Sequence, residues 1–280
     1  GYPIGGSLKF AQAIEERYRK LGGEIHYQAR VEKVLVENDR AVGVRLIDGK
    51  EYRADYIISA ADGYSTIFKL LDGKYVNDKI RGYYEKMPIF ESLIQVSLGV
   101  KMDFSTAPHS LSFPLDKPMT IGGRDWNRVT LKHYCYDPSL APAGSTVLIA
   151  LFSADYGYWE KFLRDPSGYK EEKEKITETV LSELEKRYPG LREKVEVVDL
   201  ATPLTFERYT GNRRGSMEGW LLTTKNMTMS MEKTLPALEG FYMAGQWVKP
   251  GGGIPPAAFS GRDAIKTICR AEKRKFHVIR

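Results

Sequence analysis

The chain has 280 residues, 42% of them hydrophobic and 28% charged, enough to bury a full core and close to the size at which one domain becomes two. Its net charge is +6, but bases and acids interleave, as in Lys170-Glu171-Glu172-Lys173-Glu174-Lys175, which marks a solvated helix face and argues against a nucleic-acid partner. No apolar run of about 18 residues and no charged-then-apolar leader occurs, so neither a spanning helix nor a signal peptide is expected.

The chain opens on a loop, Gly1-Tyr2-Pro3-Ile4-Gly5-Gly6-Ser7, and passes into a helix with Ser7 as the expected N-cap and Phe10, Ile14, Tyr18 and Leu21 on one face. Gly22-Gly23 should stop it. Strands are expected at 24–27, 31–37, 40–46 and 51–60, with turn signals at Asn38-Asp39 and Asp48-Gly49. The run Tyr56-Ile57-Ile58-Ser59-Ala60-Ala61 is nearly continuous in apolar residues and ends small, which suits an interior strand of a parallel sheet.

Further on, Ile94, Val96, Leu98 and Val100 alternate with Gln95, Ser97 and Gly99, the period-2 pattern of a sheet with one wetter face. Two more strands are expected at 146–153 and 195–201. Between them a charged helix over about 169–188 places Ile176, Val180, Leu184 and Tyr188 on one stripe and ends at Pro189-Gly190. Cys135 and Cys269 are far apart and lack C-x-x-C flanks, so no disulfide or zinc site is expected and a reducing, cytoplasmic setting is the default. His26, His109, His133 and His277 show no ligand spacing, and no metal is expected. The one cationic cluster, Lys273, Arg274, Lys275 and Arg280, reads as a frayed tail.

The densest signal lies near the end. Gly240 to Ala244 reads as a short buried strand, Gly245-Gln246 and Gly251-Gly252-Gly253 as a glycine-lined gap, and Ile254-Pro255-Pro256 as the opening of a helix through about residue 269. Glycine removes the Cβ where a flat ligand would meet backbone, and proline at the first helical position pre-sets φ without wasting a hydrogen bond. The helix end carries about half a positive charge and favours an anionic or electron-rich group. Since prolines lack N–H groups, Ile254, Ala257 and Ala258 are its expected donors. A strand, a loose loop and a core helix are the alternative reading of the same glycines.

Three blocks together carry a resemblance. Tyr2-Pro3-x-Gly5-Gly6-Ser7 with the following helix, Gly22-Gly23-Glu24-Ile25, Val31, Ala41-Val42-Gly43-Val44, Asp48-Gly49 and Ala54 to Ala60 form the first; Thr202 to Gly211 with Gly215-Ser216 and Gly219 form the second; Gly245 to Ile265 forms the third. In order and spacing they resemble the phytoene desaturase and carotenoid isomerase family of FAD-dependent flavoproteins. The resemblance implies an α/β fold of mixed α+β character: an incomplete FAD-binding Rossmann-like domain with an inserted substrate domain on a mixed sheet with helices. The expected division is FAD-binding at 1–86, substrate-binding at 87–225, and FAD-binding again at 226–280.

Carried over by position, the resemblance implies main-chain contacts to the adenine at Val31 and to the dinucleotide at Ala60. Gly245 and Gln246 would approach the pyrophosphate and ribityl chain, where relatives commonly carry an acid in place of Gln246. Gly252, Gly253, Ile254 and Pro255 would lie against the isoalloxazine. Trp126 and Tyr134 are substrate-region candidates within an aromatic-rich stretch that more often reads as ordinary core, and Arg208 and Tyr209 are candidates with a structural role, fixing the substrate sheet against the FAD domain, as the alternative. No general acid or base is nominated; Asp125, His133, Glu207 and Arg208 are the polar residues in suggestive places, and hydride exchange with a flavin requires no protein base beyond the cofactor.

One departure is large: no G-x-G-x-x-G stands in the chain, although flavoproteins of this class cradle the pyrophosphate on such a turn. The chain is therefore expected to be the C-terminal portion of a longer FAD oxidoreductase, binding FAD weakly or not at all by itself and self-associating through a bare sheet edge beside Tyr56 to Ala61. The implied activity is desaturation, saturation or isomerisation of a carotenoid-like or other isoprenoid lipid, with peripheral membrane contact for a substrate drawn from the bilayer. Two alternatives stay open, a flavin amine oxidase-like enzyme on a polar amine and a non-catalytic lipid- or partner-binding module.

Overall fold

The structure is a computed structural model, and it describes residues 2–227, 229 and 231–278. Gly1 of the expected opening loop and Arg280 of the expected basic tail lie outside the described residues. In chain order the main elements are α1 (Gly6–Lys20), β1 (Val31–Glu37), β2 (Arg40–Leu46), β3 (Glu51–Arg53), β4 (Ile57–Ser59), α2 (Asp78–Lys86), β5 (Ser92–Val100), β6 (Ser110–Ile121), β7 (Arg124–His133), β8 (Thr146–Ala154), α3 (Tyr156–Glu160), α4 (Pro166–Arg187), β9 (Val195–Ala201), α5 (Pro203–Thr210), β10 (Phe241–Met243) and α6 (Ile254–Ala271). Helix and sheet are mixed, as the α/β expectation requires.

The chain packs as two compact units, each discontinuous. The first joins the residues up to His26 with Glu91–Arg208; the second joins Tyr27–Phe90 with the residues from Tyr209 onward. These boundaries describe packing. The assignment of FAD and substrate roles to 1–86, 87–225 and 226–280 is a functional matter taken up below.

The first unit is built on a five-stranded antiparallel sheet in the order β6-β7-β8-β5-β9. Strand β5 alternates strictly between buried and half-buried positions, with Ile94 and Val100 fully enclosed. Helix α4 lays Ile176, Val180 and Leu184 into the same core, together with Trp159. Burying such a side chain contributes about 1.5–3 kcal/mol each. The helix starts where Asp165 accepts the Gly168 N–H at 2.9 Å and Pro166 takes the first turn. Strand β6 alternates over Leu111, Phe113 and Leu115, but Pro114 and Pro118 interrupt it and its register with β7 shifts between Pro114 and Met119, so no single period runs through the hairpin.

Helix α1 corrects the expectation for its cap. Gly5, at φ 88°, occupies the N-cap, and Ser7 falls inside the first turn with no capping bond. The Gly5 N–H is accepted instead by Asp137 at 2.5 Å. The helix has no buried residue, and Phe10, Ile14, Tyr18 and Leu21 are each at least 40% exposed. Its apolar stripe is real, but nothing among the described residues covers it.

In the second unit β1, β2 and β3 form an antiparallel meander, and β10 pairs with β4 in parallel. The turn at Asn38-Asp39 holds both residues at positive φ, 48° and 58°, as a tight hairpin requires. The expected single strand at 51–60 is two strands. Ala54 still donates to Val42 of β2, whereas Ile57 donates to Gly240 at 2.8 Å, so the chain changes sheets at Asp55-Tyr56. The expected strand at 24–27 is irregular and forms no strand. Val34, Ile67, Leu71, Ile80, Phe241 and Met243 belong to the core between the sheets and α2. No helix among the described residues is long and apolar enough to cross a membrane.

Candidate functional site

Parallel strands β4 and β10 run in register, Ile57 beside Phe241 and Ser59 beside Met243, and the Ala244 N–H extends the pairing to Ser59 at 2.9 Å. Both segments leave the sheet on the same side, as Ala60 to Gly63 and as Gly245 to Trp247. Ligands of open parallel sheets bind outside these carboxyl ends. Gly245, at φ 91°, turns so closely past Ala60 that a Cβ would stand 3.4 Å from the Ala60 carbonyl. Ser260 on α6 holds this turn. Its fully enclosed hydroxyl accepts from the Gly245 N–H and donates to the Ala257 carbonyl, both at 2.6 Å.

Gly251, Gly252 and Gly253 all take positive φ (112°, 65° and 87°), a run that only glycine adopts without strain. A Cβ on Gly253 would meet nothing beyond its own helix turn at Pro255, and one on Gly251 would only touch Leu222. At Gly252 the missing Cβ has an occupant in the chain itself. The Glu218 side chain lies there, its carboxylate overlapping the ideal Cβ position. The N–H groups of Gly252, Gly253 and Ile254 have no partner among the described residues. Ala257, expected as a free donor, already bonds the Gly253 carbonyl at 3.4 Å, and Ala258 is the fifth residue of α6, where the helical ladder begins.

The loop at 212–221 closes the site from the other side. Ser216 Oγ accepts from the Gly219 N–H and donates to its carbonyl. Gly219 approaches so closely that a Cβ would stand 3.0 Å from the Gln246 carbonyl and 3.1 Å from its Cγ. Trp220 accepts the Gly251 N–H through its carbonyl and donates its indole N–H to the Trp247 carbonyl. The Trp247 indole N–H reaches Asn212 Oδ1 at 3.1 Å. The two indoles cross edge to face at 5.2 Å, with Tyr84 a further 5.0 Å from Trp220.

Asp62, 3% exposed, binds β4's exit to the same loop by accepting the Ser65 N–H at 2.7 Å and the Arg213 N–H at 2.9 Å. The Arg213 guanidinium rests on the Tyr64 ring at 4.4 Å. Burial, with the Asp62 charge adding to it, pushes the Tyr84 phenol far above its ordinary range and keeps it protonated.

Of the sequence candidates, Ala60, Gly245, Gln246, Gly252, Gly253, Ile254 and Pro255 come together at this end of β4 and β10. Val31 sits in the other sheet, paired with Leu46. Tyr209 is 78% exposed in the second unit. In the first unit, Arg208 is exposed at the end of α5, Trp126 packs edge-on against Phe152 at 5.3 Å, and Tyr134 belongs to a ring cluster with Tyr2, His109 and Tyr136. Trp126 and Tyr134 thus flank opposite ends of β7. Asp125 accepts from the Thr120 hydroxyl, His133 engages Ala107 and Cys135 through its two ring nitrogens, and Glu207 accepts from Tyr156. Each is tied into the fold.

Sequence reasoning missed Glu218, Trp220, Trp247, Asn212, Asp62 and Ser260. The signals were short: two glycines around Glu218, and a serine on the helix face turned toward Gly245. As a test of fit to a flavin, the open Gly253, the unpartnered N–H groups at 252–254 and the close Gly245–Ala60 approach suit a flat ring and its chain. The dinucleotide fingerprint has no counterpart in the chain, so the fit is to the ring end.

Comparison with known proteins adds a second kind of observation. The profile of the flavin containing amine oxidoreductases matches residues 2–268. The chain is 30% identical over 272 residues to the chloroplastic prolycopene isomerase of Daucus carota, covering 93% of this chain and 42% of that protein. It is 28% identical to the lycopene-forming phytoene desaturase of Pseudescherichia vulneris, covering 93% of this chain and 54% of that one. An oxidoreductase from Methanosarcina mazei shares the fold, with a TM-score of 0.62 at 17% identity, over 94% of this chain and 55% of that one. The chain thus spans about half the length of the relatives it matches.

Proposed function

The chain belongs to the flavin containing amine oxidoreductase family, with carotenoid isomerases and desaturases among its relatives, and from that premise we propose that it is the C-terminal portion of a FAD-dependent enzyme that exchanges hydride with a carotenoid-like or other isoprenoid lipid. FAD, when bound, supplies the hydride chemistry. Gly252, Gly253, Ile254 and Pro255 hold the ring end, Gly245 and Gln246 take the chain that follows, and Ala60 and Val31 lie along the dinucleotide. In this reading 1–86 and 226–280 serve the cofactor, 87–225 the substrate, and Trp126, Tyr134, Arg208 and Tyr209 belong to the substrate region.

The observation that carries this reading is the positive-φ run Gly251 to Gly253 at the carboxyl end of a parallel strand pair, in a chain whose relatives include carotenoid enzymes. Trp220 and Trp247, the indoles that brace the cradle, are 0% and 2% exposed and face each other. Among the described residues these two indoles are buried against each other rather than open toward a polar amine, which supports a lipid over an amine. The chemistry asks the protein mainly to orient an apolar chain and exclude water.

The test is release of flavin by denaturation with fluorescence quantitation, on this chain and on a longer form that carries a G-x-G-x-x-G turn. The longer form is expected to hold near-stoichiometric FAD and this chain little or none. Failure of both to carry or accept FAD would leave the lipid- or partner-binding module as the surviving reading.

A further inference from the structure

Glu218 is a half-buried carboxylate with no hydrogen-bond or ion-pair partner among the described residues. It is not a loose surface group. Ser216 and Gly219 clasp each other on either side of it, Gly219 is pressed against Gln246, and the Trp220 carbonyl holds the Gly251 N–H. Both limbs of the glycine cradle are thereby stapled to the loop that carries Glu218, and its side chain lies flat on the Cβ-less face of Gly252. Beside it stand the N–H groups of Gly252, Gly253 and Ile254, also without partners, at the positive end of α6.

The cradle therefore offers donors and an acceptor side by side. An unmet carboxylate lone pair in a half-buried place has a cost that a ligand N–H would remove. A purely anionic group would gain from the donors and be repelled by Glu218. A ligand edge that alternates carbonyl oxygen with N–H satisfies both, and the pyrimidine-dione edge of an isoalloxazine has that alternation.

We propose that Glu218 is a specificity-determining residue of the cradle: its carboxylate accepts a hydrogen bond from a ligand N–H set between carbonyls, so that the site selects an imide-bearing ring over an anionic or N-alkylated one. This rests on the flavin reading given above. The alternative is that Glu218 merely supplies a counter-charge to the start of α6, in which case its loss alters stability and leaves ligand discrimination untouched.

The experiment measures fluorescence quenching of two ring-only probes, lumiflavin and 3-methyllumiflavin, by the full chain. Neither carries a phosphate, so no nucleotide-binding turn is needed. The wild-type chain is expected to bind lumiflavin about ten-fold more tightly than its methylated form, the scale of one charge-assisted hydrogen bond. In Glu218→Ala the two probes should bind within about two-fold of each other, and Glu218→Gln, which keeps an acceptor oxygen and the side-chain volume, should retain part of the preference. Discrimination that persists in Glu218→Ala would mean the methyl group simply clashes, and the proposal falls. Equal binding of both probes by the wild-type chain also overturns it while leaving the flavin reading in place. If no variant of this chain binds either probe, the same titrations are made on the longer form that carries a G-x-G-x-x-G turn, and binding of neither probe there defeats the flavin reading of the cradle and this proposal with it.

Discussion

At Gly252 two demands meet on one atom. The backbone sits at φ 65°, and Glu218 fills the volume a Cβ would need. Gly252→Ala is expected to lower stability by roughly 2–5 kcal/mol, combining left-handed strain of about 1–2 kcal/mol with overpacking of about 1–3 kcal/mol. Denaturant unfolding would measure it. Adding Glu218→Ala should restore the packing part and leave the strain, so a double-mutant cycle with no coupling would sink this account of the contact. Ser260→Ala is a cleaner loss, since the part-buried Gly245 N–H would forfeit its acceptor, the enclosed Ser260 hydroxyl. About 1–3 kcal/mol is expected, with local loosening read as faster amide exchange at Gly245. The glycines were legible in sequence, because positive φ has few other solutions. Their neighbours were not, because which side chain fills a glycine's empty face depends on a loop some 30 residues away.

Among the elements, α1 depends on a contact at its first turn. Asp137 takes the Gly5 N–H and both donors of Ser139, and these bonds, that of the Ser139 hydroxyl foremost, hold its carboxyl below the usual aspartate range. A carboxylate whose folded pKa is depressed contributes stability that is complete above the unfolded value, near 3.9, and is lost as pH falls through the folded value. Acidification below about pH 4 is therefore expected to free the start of α1 before the five-stranded sheet melts, and Asp137→Asn to weaken it at neutral pH. Limited proteolysis within residues 6–20 is the readout; equal protection of wild type and variant at pH 7 would refute the link. Elements with a single strong period were readable: β5 by its alternation, α4 by its stripe, and α6 by its prolines. Those decided by partners were not, and the switch of sheets at Asp55-Tyr56 splits a run that sequence alone treats as continuous. Helix α1 shows the reverse case, with a true apolar stripe that predicts burial although the described residues supply no cover.

For the molecule as a whole, β4 is paired only with β10 among the described residues, and Ile58 on it is 39% exposed. An unpaired, apolar strand edge recruits other chains. The purified chain is expected to self-associate with rising concentration in light scattering, and Ile58→Lys to shift it toward monomer. A monomer at all concentrations, or association unchanged by Ile58→Lys, would count against this edge as the contact. The general plan was legible from three ordered motifs, since their spacing survives at low identity. The packing boundaries were less so, because the first 26 residues join the unit of 91–208, and compactness follows contacts that no local pattern encodes.

The parallel pair of β4 and β10 also sets a clock. Ile57 must wait for Phe241, about 180 residues later, and at 5–20 residues per second a ribosome needs roughly 10–40 s to supply it. Throughout that interval the nascent chain carries a meander whose continuation, β4, has no β10 to pair with.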